Sequence, residues 1–428
     1  MKLFGSMNIK NNNLYIGKIN TLDLANKFKT PLYVMDETLI RDNCRRYINS
    51  FSKEKNKVAY AGKAFLTKAM CTLIKEEGLF LDVVSGGEIF TAYKSGFPMG
   101  KIYFHGNNKA IEEIEMAIDL GVGIFVADNF QELDIINTIC KNKNIKQKVI
   151  LRVIPGIEAH THEYIKTGQI DSKFGFTLID DGAIKAVKKS SELENIQFLG
   201  LHCHIGSQIF ETKPYEEEIE IMFNLIKRIN EELNIYVEEL DLGGGFGIYY
   251  TDGDNPQKIE EFCKLILDKA QNYSKKIGIR QPTLTIEPGR SVVGNAGITL
   301  YSVGSIKEIP NVSKYVAVNG GMTDNIRPAL YKSQYECTVC NKVLDNLSEE
   351  VKIVGKCCES GDVLIDNVRL PKLESDDLLA VLNTGAYGYS MASNYNKALL
   401  PSVVFVNDDK VRLVCKRQTY ENLIQNEV

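Results

Sequence analysis

The sequence has no apolar run that approaches the ~20 residues of a membrane-spanning helix. Its amino-terminal end contains Lys2 and Lys10 but no apolar core of a secretory signal, because Asn11, Asn12 and Asn13 would interrupt one. The net charge is only −4 at pH 7, which disfavours a protein that binds the phosphate backbone of nucleic acids. The 10 cysteines, without a secretory context, predict reduced thiols in a cytoplasmic protein. We therefore expect neither a membrane nor a nucleic acid as a partner.

What the sequence does contain, from about residue 55 to about residue 295, is an alternation of short β-rich runs with helix-like segments. These runs predict strands at residues 57–63, 80–85, 101–105, 124–128, 149–154, 198–204, 237–242 and 284–287. Helices are predicted between them, for example at 66–77, 111–120 and 215–233. Eight successive β-then-α units predict an α/β fold, the (β/α)8 TIM-like barrel, which uses ~250 residues. A doubly wound open sheet is the structural alternative, but eight consecutive units favour closure.

The pattern changes after residue 297, where strand-like segments follow one another without long helices. Such segments occur at residues 298–306, 315–318, 350–354, 378–382 and 403–413. They predict a C-terminal all-β domain. The sequence therefore predicts three parts: an N-terminal segment (1–40) that packs with the β domain, the barrel (41–297), and the β domain itself (298–428).

Chemically unusual residues fall at the C-terminal ends of the predicted barrel strands, where the active sites of this fold lie. Lys63 ends the first strand, His105 the third and His204 the sixth. The seventh and eighth strands run into a glycine run and a Glu-Pro-Gly-Arg motif, which together comprise Gly243, Gly244, Gly245, Glu287, Pro288, Gly289 and Arg290. This coincidence predicts an active site at that face of the barrel.

The glycine run has the properties of an anion-binding loop. Three consecutive glycines have no side chains between the backbone amides and a ligand, and loops after strands seven and eight are a frequent phosphate site in this fold. The simpler interpretation is that the glycines only turn a strand end into a helix. Gly289 and Arg290, arriving from the neighbouring strand, favour phosphate binding instead.

Lys63 ends a strand that should be buried on both sides, and a lysine at the mouth of a barrel is placed for imine chemistry. Most exposed lysines are only solvated surface, but one that faces a phosphate site predicts a phosphate-bearing aldehyde, for which pyridoxal phosphate is the obvious candidate. Glu287 then acquires a role, because a carboxylate beside the pyridine nitrogen keeps that nitrogen protonated. At ~3 Å such a pair contributes at most on the order of 5 kcal/mol before desolvation. His204 could lie flat on the ring, whereas we interpret His202 as an ordinary hydrogen-bonded histidine of the barrel.

Two other groups of side chains are weaker candidates. Cys337-x-x-Cys340 followed by Cys357 and Cys358 is similar to a zinc-binding pattern, but adjacent cysteines do not easily supply two tetrahedral ligands, so we predict no metal site. The His-Thr-His segment at 160–162 lies in a long loop after the fifth strand and has no third ligand. We interpret that segment as a flap.

Seven motifs carry a family resemblance: YAGKA, HIGSQ, GGGFG, EPGR, IRPALY, CESGD and GAYGYSMASNYN. By these motifs the chain resembles the fold-type III pyridoxal-phosphate-dependent decarboxylases of basic amino acids, and within them the diaminopimelate decarboxylases, over nearly its whole length. The resemblance implies the conversion of meso-2,6-diaminopimelate to L-lysine and CO2, which is the last step of lysine biosynthesis. It also implies a homodimer with shared active sites, in which the CESGD loop reaches into the site of the partner.

The resemblance implies a role for each matching residue. Lys63 would bind the cofactor covalently, His204 would stack on its ring, and Glu287 would face its pyridine nitrogen. The phosphate would be held by Ser207, Gly243, Gly244, Gly245, Pro288, Gly289, Arg290 and Tyr387. The substrate would be held by Arg290, Arg327 and Tyr331 at its distal carboxylate, by Glu359 at its distal ammonium, and by Tyr387 along the same pocket. Cys358 would be the acid that protonates the carbon after carbon dioxide leaves.

Physical chemistry supports the substrate assignment without the resemblance. Arginine pairs bidentately with carboxylates, so Arg290 and Arg327 suit a substrate with a second carboxylate, a group that ornithine lacks. An ordinary thiol is mostly protonated at neutral pH, so Cys358 suits a proton donor. The alternative for Cys358 is a buried structural thiol, which is the usual fate of cysteine.

The sequence departs from the family pattern in two places. Gly-Pro usually precedes CES, whereas here Gly355, Lys356 and Cys357 do, which predicts a less rigid loop and a second thiol beside the acid. Ala64 and Phe65 follow Lys63 where a polar residue is common. The alternatives are a decarboxylase of carboxynorspermidine, arginine or ornithine, an amino-acid racemase, and a catalytically inactive binding protein that keeps the fold.

Overall fold

A computed structural model of the chain describes residues 1–52, 55–157 and 171–428, and the chain divides into two compact units. The barrel unit comprises Cys44–Gly247 and Pro256–Gly289, and the sheet unit comprises Met1–Asn43, Ile248–Asn255 and Arg290–Val428. The predicted flap at 160–162 lies outside the described residues. Within those residues no helix has both the length and the apolar character to cross a membrane.

The amino-terminal residues of the sheet unit form a small antiparallel sheet, a helix and one longer strand. These elements are β1 (Met7–Lys10), β2 (Asn13–Ile16), β3 (Ile19–Asn20), α1 (Thr21–Phe28) and β4 (Leu32–Asp36). Asn20 caps α1, because its side chain accepts a hydrogen bond from the backbone N–H of Leu22. All five residues of β4 are buried, as in a strand whose two faces are both covered.

The barrel unit contains eight parallel strands in a closed ring and one short strand, β10, at its side. In chain order the strands are β5 (Lys57–Ala61), β6 (Phe80–Val83), β7 (Ile102–Phe104), β8 (Ile124–Ala127), β9 (Gln147–Ile154), β10 (Phe176–Thr177), β11 (Ile196–His202), β12 (Glu239–Asp241) and β13 (Thr283–Ile286). Each ring strand pairs with its neighbour, and β13 pairs with β5 to close the ring. The predicted TIM-like barrel is therefore confirmed, and the open sheet is excluded.

Helices alternate with these strands. They are α2 (Glu37–Phe51), α3 (Lys68–Glu76), α4 (Gly86–Lys94), α5 (Ile111–Asp119), α6 (Phe130–Asn142), α7 (Gly182–Glu192), α8 (Lys213–Leu233) and α9 (Ile259–Ile277). Thr67, Ser85 and Asn129 cap α3, α4 and α6 through their side chains, and each such cap contributes about 1 kcal/mol. The helices predicted at 66–77, 111–120 and 215–233 are all present, with slightly different ends.

The rest of the sheet unit is rich in strands, and its helices have only four or five residues. Its elements are α10 (Arg290–Val293), β14 (Gly297–Ile309), β15 (Ser313–Val318), α11 (Arg327–Tyr331), β16 (Cys337–Val339), β17 (Glu349–Val354), β18 (Val363–Leu370), β19 (Leu378–Val381), β20 (Ser402–Asn407), β21 (Lys410–Cys415) and α12 (Tyr420–Ile424). The main sheet has the order β18-β17-β15-β14-β4-β20-β21. The amino-terminal strand β4 thus lies between β14 and β20 in this sheet.

The strand prediction for residues 403–413 is wrong in one respect. This segment is not one strand but the antiparallel pair β20 and β21, which turns at Asp408 with a φ of +53°. No glycine or proline marks the turn, but the polar residues 407–409 are a turn signal that the prediction overlooked. Two further strands, β16 and β18, were not among the predicted segments.

Glu218, on the inner side of α8, is fully buried in the barrel unit. Neither carboxyl oxygen has a hydrogen-bond partner among the described residues, although the Cys203 thiol lies beside the group. Burial raises the pKa of Glu218 to about 8, because a charge would be poorly solvated there. The side chain is therefore mostly protonated at neutral pH.

Replacing Glu218 with glutamine is expected to stabilise the protein as pH rises. The folded state keeps the proton up to about pH 8, whereas the unfolded chain releases it near the ordinary pKa of glutamate. Stability is therefore lost between these two values, and Glu218→Gln should recover about 1–3 kcal/mol of it at pH 8 but little at pH 5. Urea unfolding at both pH values measures the difference, with Glu217→Gln, an exposed neighbour, as the control. An equal gain at pH 5 and pH 8 would contradict the assignment.

Candidate active site

Lys63 lies in a single 3₁₀ turn, Gly62–Ala64, that follows the end of β5. Its side chain is exposed, whereas Gly62 and Ala64 are buried. A Cβ on Gly62 would lie 2.9 Å from the carbonyl oxygen of Asp82, so the turn packs tightly against β6. The positive charge of Lys63 influences the pKa of Asp82, Glu88 and His204. The amine therefore faces the groups at the strand ends.

His204 and the glycine run are joined by direct contacts. The N–H of Gly244 donates to Nδ1 of His204 at 3.3 Å, and the N–H of Gly243 donates to Asp241 at 2.8 Å. Because Nδ1 accepts, a neutral ring of His204 carries its proton on Nε2. Burial lowers the pKa of His204 well below its ordinary value, and Lys63 lowers it further. His204 is thus a neutral imidazole fixed against the loop.

The conformation of the loop requires its glycines. Gly243 and Gly245 have φ values of +64° and +100°, which side chains rarely adopt. A Cβ on Gly244 would lie 2.2 Å from the carbonyl oxygen of Glu287, and one on Gly245 would lie 2.4 Å from that of Gly206. The second of these contacts brings the loop of Ser207 beside the glycine run, since Gly206 precedes Ser207.

The segment after β13 completes this side of the barrel unit. The N–H of Glu287 donates to Gly243 at 2.7 Å, and the carbonyl of Pro288 accepts from Ala61 at 3.2 Å. A Cβ on Gly289 would lie 2.9 Å from that of Ala61, so only glycine fits without movement. The turn that carries Lys63 is therefore packed directly against the Glu-Pro-Gly motif.

Glu287 is the centre of a buried polar cluster. Its Oε1 lies 2.7 Å from Nε2 of His105, and its Oε2 lies 3.3 Å from Nε2 of His202. Burial raises the pKa of Asp82 and of Asp241, which lie in the same cluster. Burial would also raise the pKa of Glu287, but the two imidazoles hold it well below its ordinary value. Glu287 is the ionised carboxylate of the cluster.

In the sheet unit, two arginines surround one tyrosine. The guanidinium carbon of Arg290 lies 4.8 Å from the ring centroid of Tyr387, and that of Arg327 lies 5.5 Å from it. Arg290 donates to the hydroxyl of Tyr250 at 2.7 Å. The sequence-predicted residues Arg290, Arg327 and Tyr387 are therefore brought together in this unit.

Arg327 is held by neutral groups. It donates to the hydroxyl of Tyr335 at 3.1 Å and to that of Ser333 at 3.3 Å, and its guanidinium carbon lies 5.0 Å from the ring centroid of Tyr331. No carboxylate of the described residues forms an ion pair with Arg327. A buried arginine held in this way retains the capacity to bind an incoming anion.

Cys358 and Glu359 are both exposed on the loop that connects β17 and β18. The carboxylate of Asp362 accepts from the N–H of Cys357 at 2.8 Å and from that of Met322 at 2.6 Å, and Asp362 is only 3% exposed. Glu359 accepts a hydrogen bond from the hydroxyl of Tyr395. The base of the loop is thus anchored by Asp362 despite the absence of the usual Gly-Pro.

The comparisons with known proteins decide the family. Residues 37–294 match the family described as "Pyridoxal-dependent decarboxylase, pyridoxal binding domain". The chain is 52% identical over 407 residues to a diaminopimelate decarboxylase of Bacillus methanolicus, an alignment that covers 95% of this chain and 94% of that protein. This chain belongs to the diaminopimelate decarboxylase family.

Further relatives of the family agree. A diaminopimelate decarboxylase of Staphylococcus aureus is 46% identical over 98% of each chain. A crystal structure of diaminopimelate decarboxylase from M. jannaschii has a TM-score of 0.93 and 37% identity, and the alignment covers 99% of this chain and 98% of that one. A second structure of that protein contains L-lysine.

The residues of the barrel unit fit pyridoxal phosphate, the cofactor of this family. Its aldehyde requires an amine, its ring requires a flat neutral neighbour, and its pyridine nitrogen requires a carboxylate. Lys63, His204 and Glu287 are groups of these three kinds. Several buried polar atoms of the cluster, among them Oε1 of Glu287 and Oδ1 of Asp82, have no hydrogen-bond partner that meets ordinary geometry among the described residues. The glycine run offers an approach to an anion without side chains.

The sequence prediction missed part of this site. His202 is hydrogen-bonded within the barrel, as predicted, but the sequence did not reveal that its partner is Glu287. Asp82, Glu88 and Asp241 were not singled out at all. Asp82 and Asp241 lie near the C-terminal ends of barrel strands. The expectation that active-site residues lie at strand ends, which located Lys63, would have found both if it had been applied to carboxylates. Burial raises the pKa of Glu88 to about 7.

Proposed function

We propose that this chain decarboxylates meso-2,6-diaminopimelate to L-lysine and CO2, the last step of lysine biosynthesis. The observation that carries the proposal is the pair of buried arginines, Arg290 and Arg327, both within 5.5 Å of the ring centroid of Tyr387. Two guanidinium groups that face one tyrosine suit a carboxylate. Diaminopimelate has a second carboxylate to bind there. Ornithine and lysine have only one carboxylate, which would leave as CO2.

The barrel unit would hold the cofactor. Pyridoxal phosphate supplies an electron-withdrawing ring that takes up the electron pair released when carbon dioxide leaves. Lys63 would hold it through its amine. Glu287, ionised between two imidazoles, would keep a proton on the pyridine nitrogen, and the neutral imidazole of His204 would stack on the ring. Ser207, the glycine run, Pro288, Gly289, Arg290 and Tyr387 would hold the phosphate.

The sheet unit would supply substrate binding and the proton. Arg290, Arg327 and Tyr331 bind the distal carboxylate, with Tyr387 beside them, and Glu359 binds the distal ammonium. The thiol of Cys358 gives its proton to the carbon that has lost carbon dioxide. We further propose that the protein acts in the cytoplasm as a homodimer, in which Cys358 and Glu359 serve the site of the partner. Their exposure on an anchored loop supports this proposal.

Arg327→Ala is expected to raise KM for diaminopimelate by about 10–100-fold, because a hydrogen-bonded ion pair is worth about 1.5–3 kcal/mol. The product L-lysine keeps the distal carboxylate, so inhibition by L-lysine should weaken by a similar factor. Inhibition by 1,5-diaminopentane, which has no carboxylate, should change little. Steady-state kinetics with both inhibitors measures this difference.

Arg369→Ala is the matched control, because Arg369 is an exposed arginine of the same unit. It should leave unchanged the KM for diaminopimelate and the inhibition constants of L-lysine and 1,5-diaminopentane. Equal weakening of L-lysine and 1,5-diaminopentane by Arg327→Ala would show that Arg327 shapes the pocket without binding the carboxylate.

A further inference from the structure

The carboxylate of Glu287 is contacted on both oxygens by imidazoles from two different strand ends. His105 follows β7 and lies 2.7 Å from Oε1, and His202 ends β11 and lies 3.3 Å from Oε2. The two rings contact each other edge to face, with centroids 4.8 Å apart and an interplanar angle of 73°. Glu287 therefore has little freedom to rotate.

The neighbouring buried carboxyl groups explain why Glu287 needs its contacts with the two imidazoles. Asp82, Asp241 and Glu287 bring three carboxyl groups into one cluster, and each is at most 6% exposed. Three buried anions would repel one another and would lack solvation. His105 and His202 are equally buried, at 5% and 1% exposure. His105 also lies 3.6 Å from Asp82, but both imidazoles contact Glu287, at 2.7 and 3.3 Å. The negative charge is therefore favoured on Glu287.

We propose that His105 and His202 are positioning residues that hold Glu287 charged and in place opposite the ring nitrogen of pyridoxal phosphate. The inference rests on the proposed role of Glu287 and extends it to two residues that have no role in the sequence prediction. Neither histidine needs to contact the substrate. Their contribution is to fix the carboxylate of Glu287, as residues that do not touch the ligand themselves do in other preorganised sites.

Another ligand could use the same groups. Nitrogen and oxygen atoms of His105, His202, Asp241 and Glu287 lie within 4.8 Å of one another, close enough to surround a metal ion. A divalent cation there would occupy Glu287 and remove it from the ring nitrogen. The two occupants therefore exclude each other, and metal content distinguishes them.

The test uses holoenzyme reconstituted with pyridoxal phosphate labelled with ¹⁵N in the ring, because the ¹⁵N chemical shift reports directly whether that nitrogen is protonated. In the wild type it should be protonated at pH 7. In His105→Phe, which keeps the volume of a ring, and in His105→Leu, cofactor stoichiometry should be unchanged but the nitrogen should be neutral. His105→Gln, which restores a donor, should recover protonation. The value of kcat should fall by about 10–100-fold in the Phe and Leu variants, with KM little changed.

Tyr103→Phe is the matched control. Tyr103 lies on β7, the strand that His105 follows; it is fully buried and donates a hydrogen bond to Glu239. It should leave the ¹⁵N shift unchanged, and thermal unfolding of each apoprotein shows that the fold is kept. If His105→Phe and His105→Leu failed to fold, His202→Phe would decide by the same ¹⁵N shift: a neutral ring nitrogen would support the inference, and a protonated one would overturn it.

The outcomes distinguish the positioning role of His105 and His202 from the role of Glu287, on which it rests. A protonated nitrogen in His105→Phe, together with a neutral one in Glu287→Gln, would overturn the role of the histidines alone. A protonated nitrogen in Glu287→Gln would overturn the role of Glu287 itself. A stoichiometric divalent cation in the purified holoenzyme, removed by a chelator with a change in the ¹⁵N shift, would overturn the inference in favour of a metal site.

Discussion

Lys63→Ala is expected to abolish both turnover and the visible absorbance of the bound cofactor. Lys63 follows the end of β5, and its charge influences the pKa of Asp82, Glu88 and His204. Without it no covalent bond holds the aldehyde, and transfer to the substrate has no starting point. We expect a fall in kcat of at least ~10³-fold. Absorbance titration with pyridoxal phosphate and a turnover assay measure the two effects.

Lys68→Ala serves as the control, because Lys68 is an exposed lysine at the start of α3, five positions later in the chain. It should keep full colour and full activity. If Lys63→Ala kept the visible absorbance of the wild type, another amine would hold the cofactor and the assignment of Lys63 would be wrong.

Cys358→Ala should lower kcat by about 10²–10⁴-fold, the usual contribution of a positioned proton donor, with little change in cofactor binding or KM. Cys358→Ser should be nearly as impaired, because a hydroxyl is a much weaker acid than a thiol. Cys357→Ala is the matched control: it removes the adjacent thiol, which is half-buried where Cys358 is exposed. Should Cys357→Ala lose the activity and Cys358→Ala keep it, the roles of the two thiols would be reversed.

Mixing the Lys63→Ala and Cys358→Ala proteins tests whether the site is shared between subunits. With free exchange, half of the dimers are hybrids, and each hybrid has one site with both residues intact. Activity should therefore return to about one quarter of the wild-type value. Exchange demonstrated by mass spectrometry with no recovered activity would place both residues in the site of one subunit.

Local sequence patterns predicted the barrel because its strands are buried on both faces and appear as continuous apolar runs. The same runs located Lys63, His204 and Glu287 at strand ends. Ring closure is what brings β6, β7, β11, β12 and β13 to a common mouth, and alternation along one strand does not reveal which neighbours meet there. His202 is a hydrogen-bonded histidine of the barrel, as predicted, but its partner Glu287 comes from another strand and could not be identified from β11 alone.

The sheet unit was harder to predict, because its pairings are distant in sequence. β4 (Leu32–Asp36) lies beside β14 (Gly297–Ile309) and β20 (Ser402–Asn407). Strands that pair over such a long stretch of chain leave no local signal in the sequence. The turn at Asp408 is marked only by a short polar run, so the pattern of residues 403–413 predicts one strand where the structure has two. The loop before Cys358 was expected to be loose because it lacks proline, yet the buried Asp362 anchors it through two backbone N–H groups.

Carbon dioxide release from meso-2,6-diaminopimelate by the purified holoenzyme tests the central claim most directly. We predict one CO2 for each L-lysine formed, with ornithine, arginine and carboxynorspermidine decarboxylated far more slowly. No release from diaminopimelate, with rapid release from one of the other three amino acids, would contradict the proposed function while leaving the fold and the cofactor site intact.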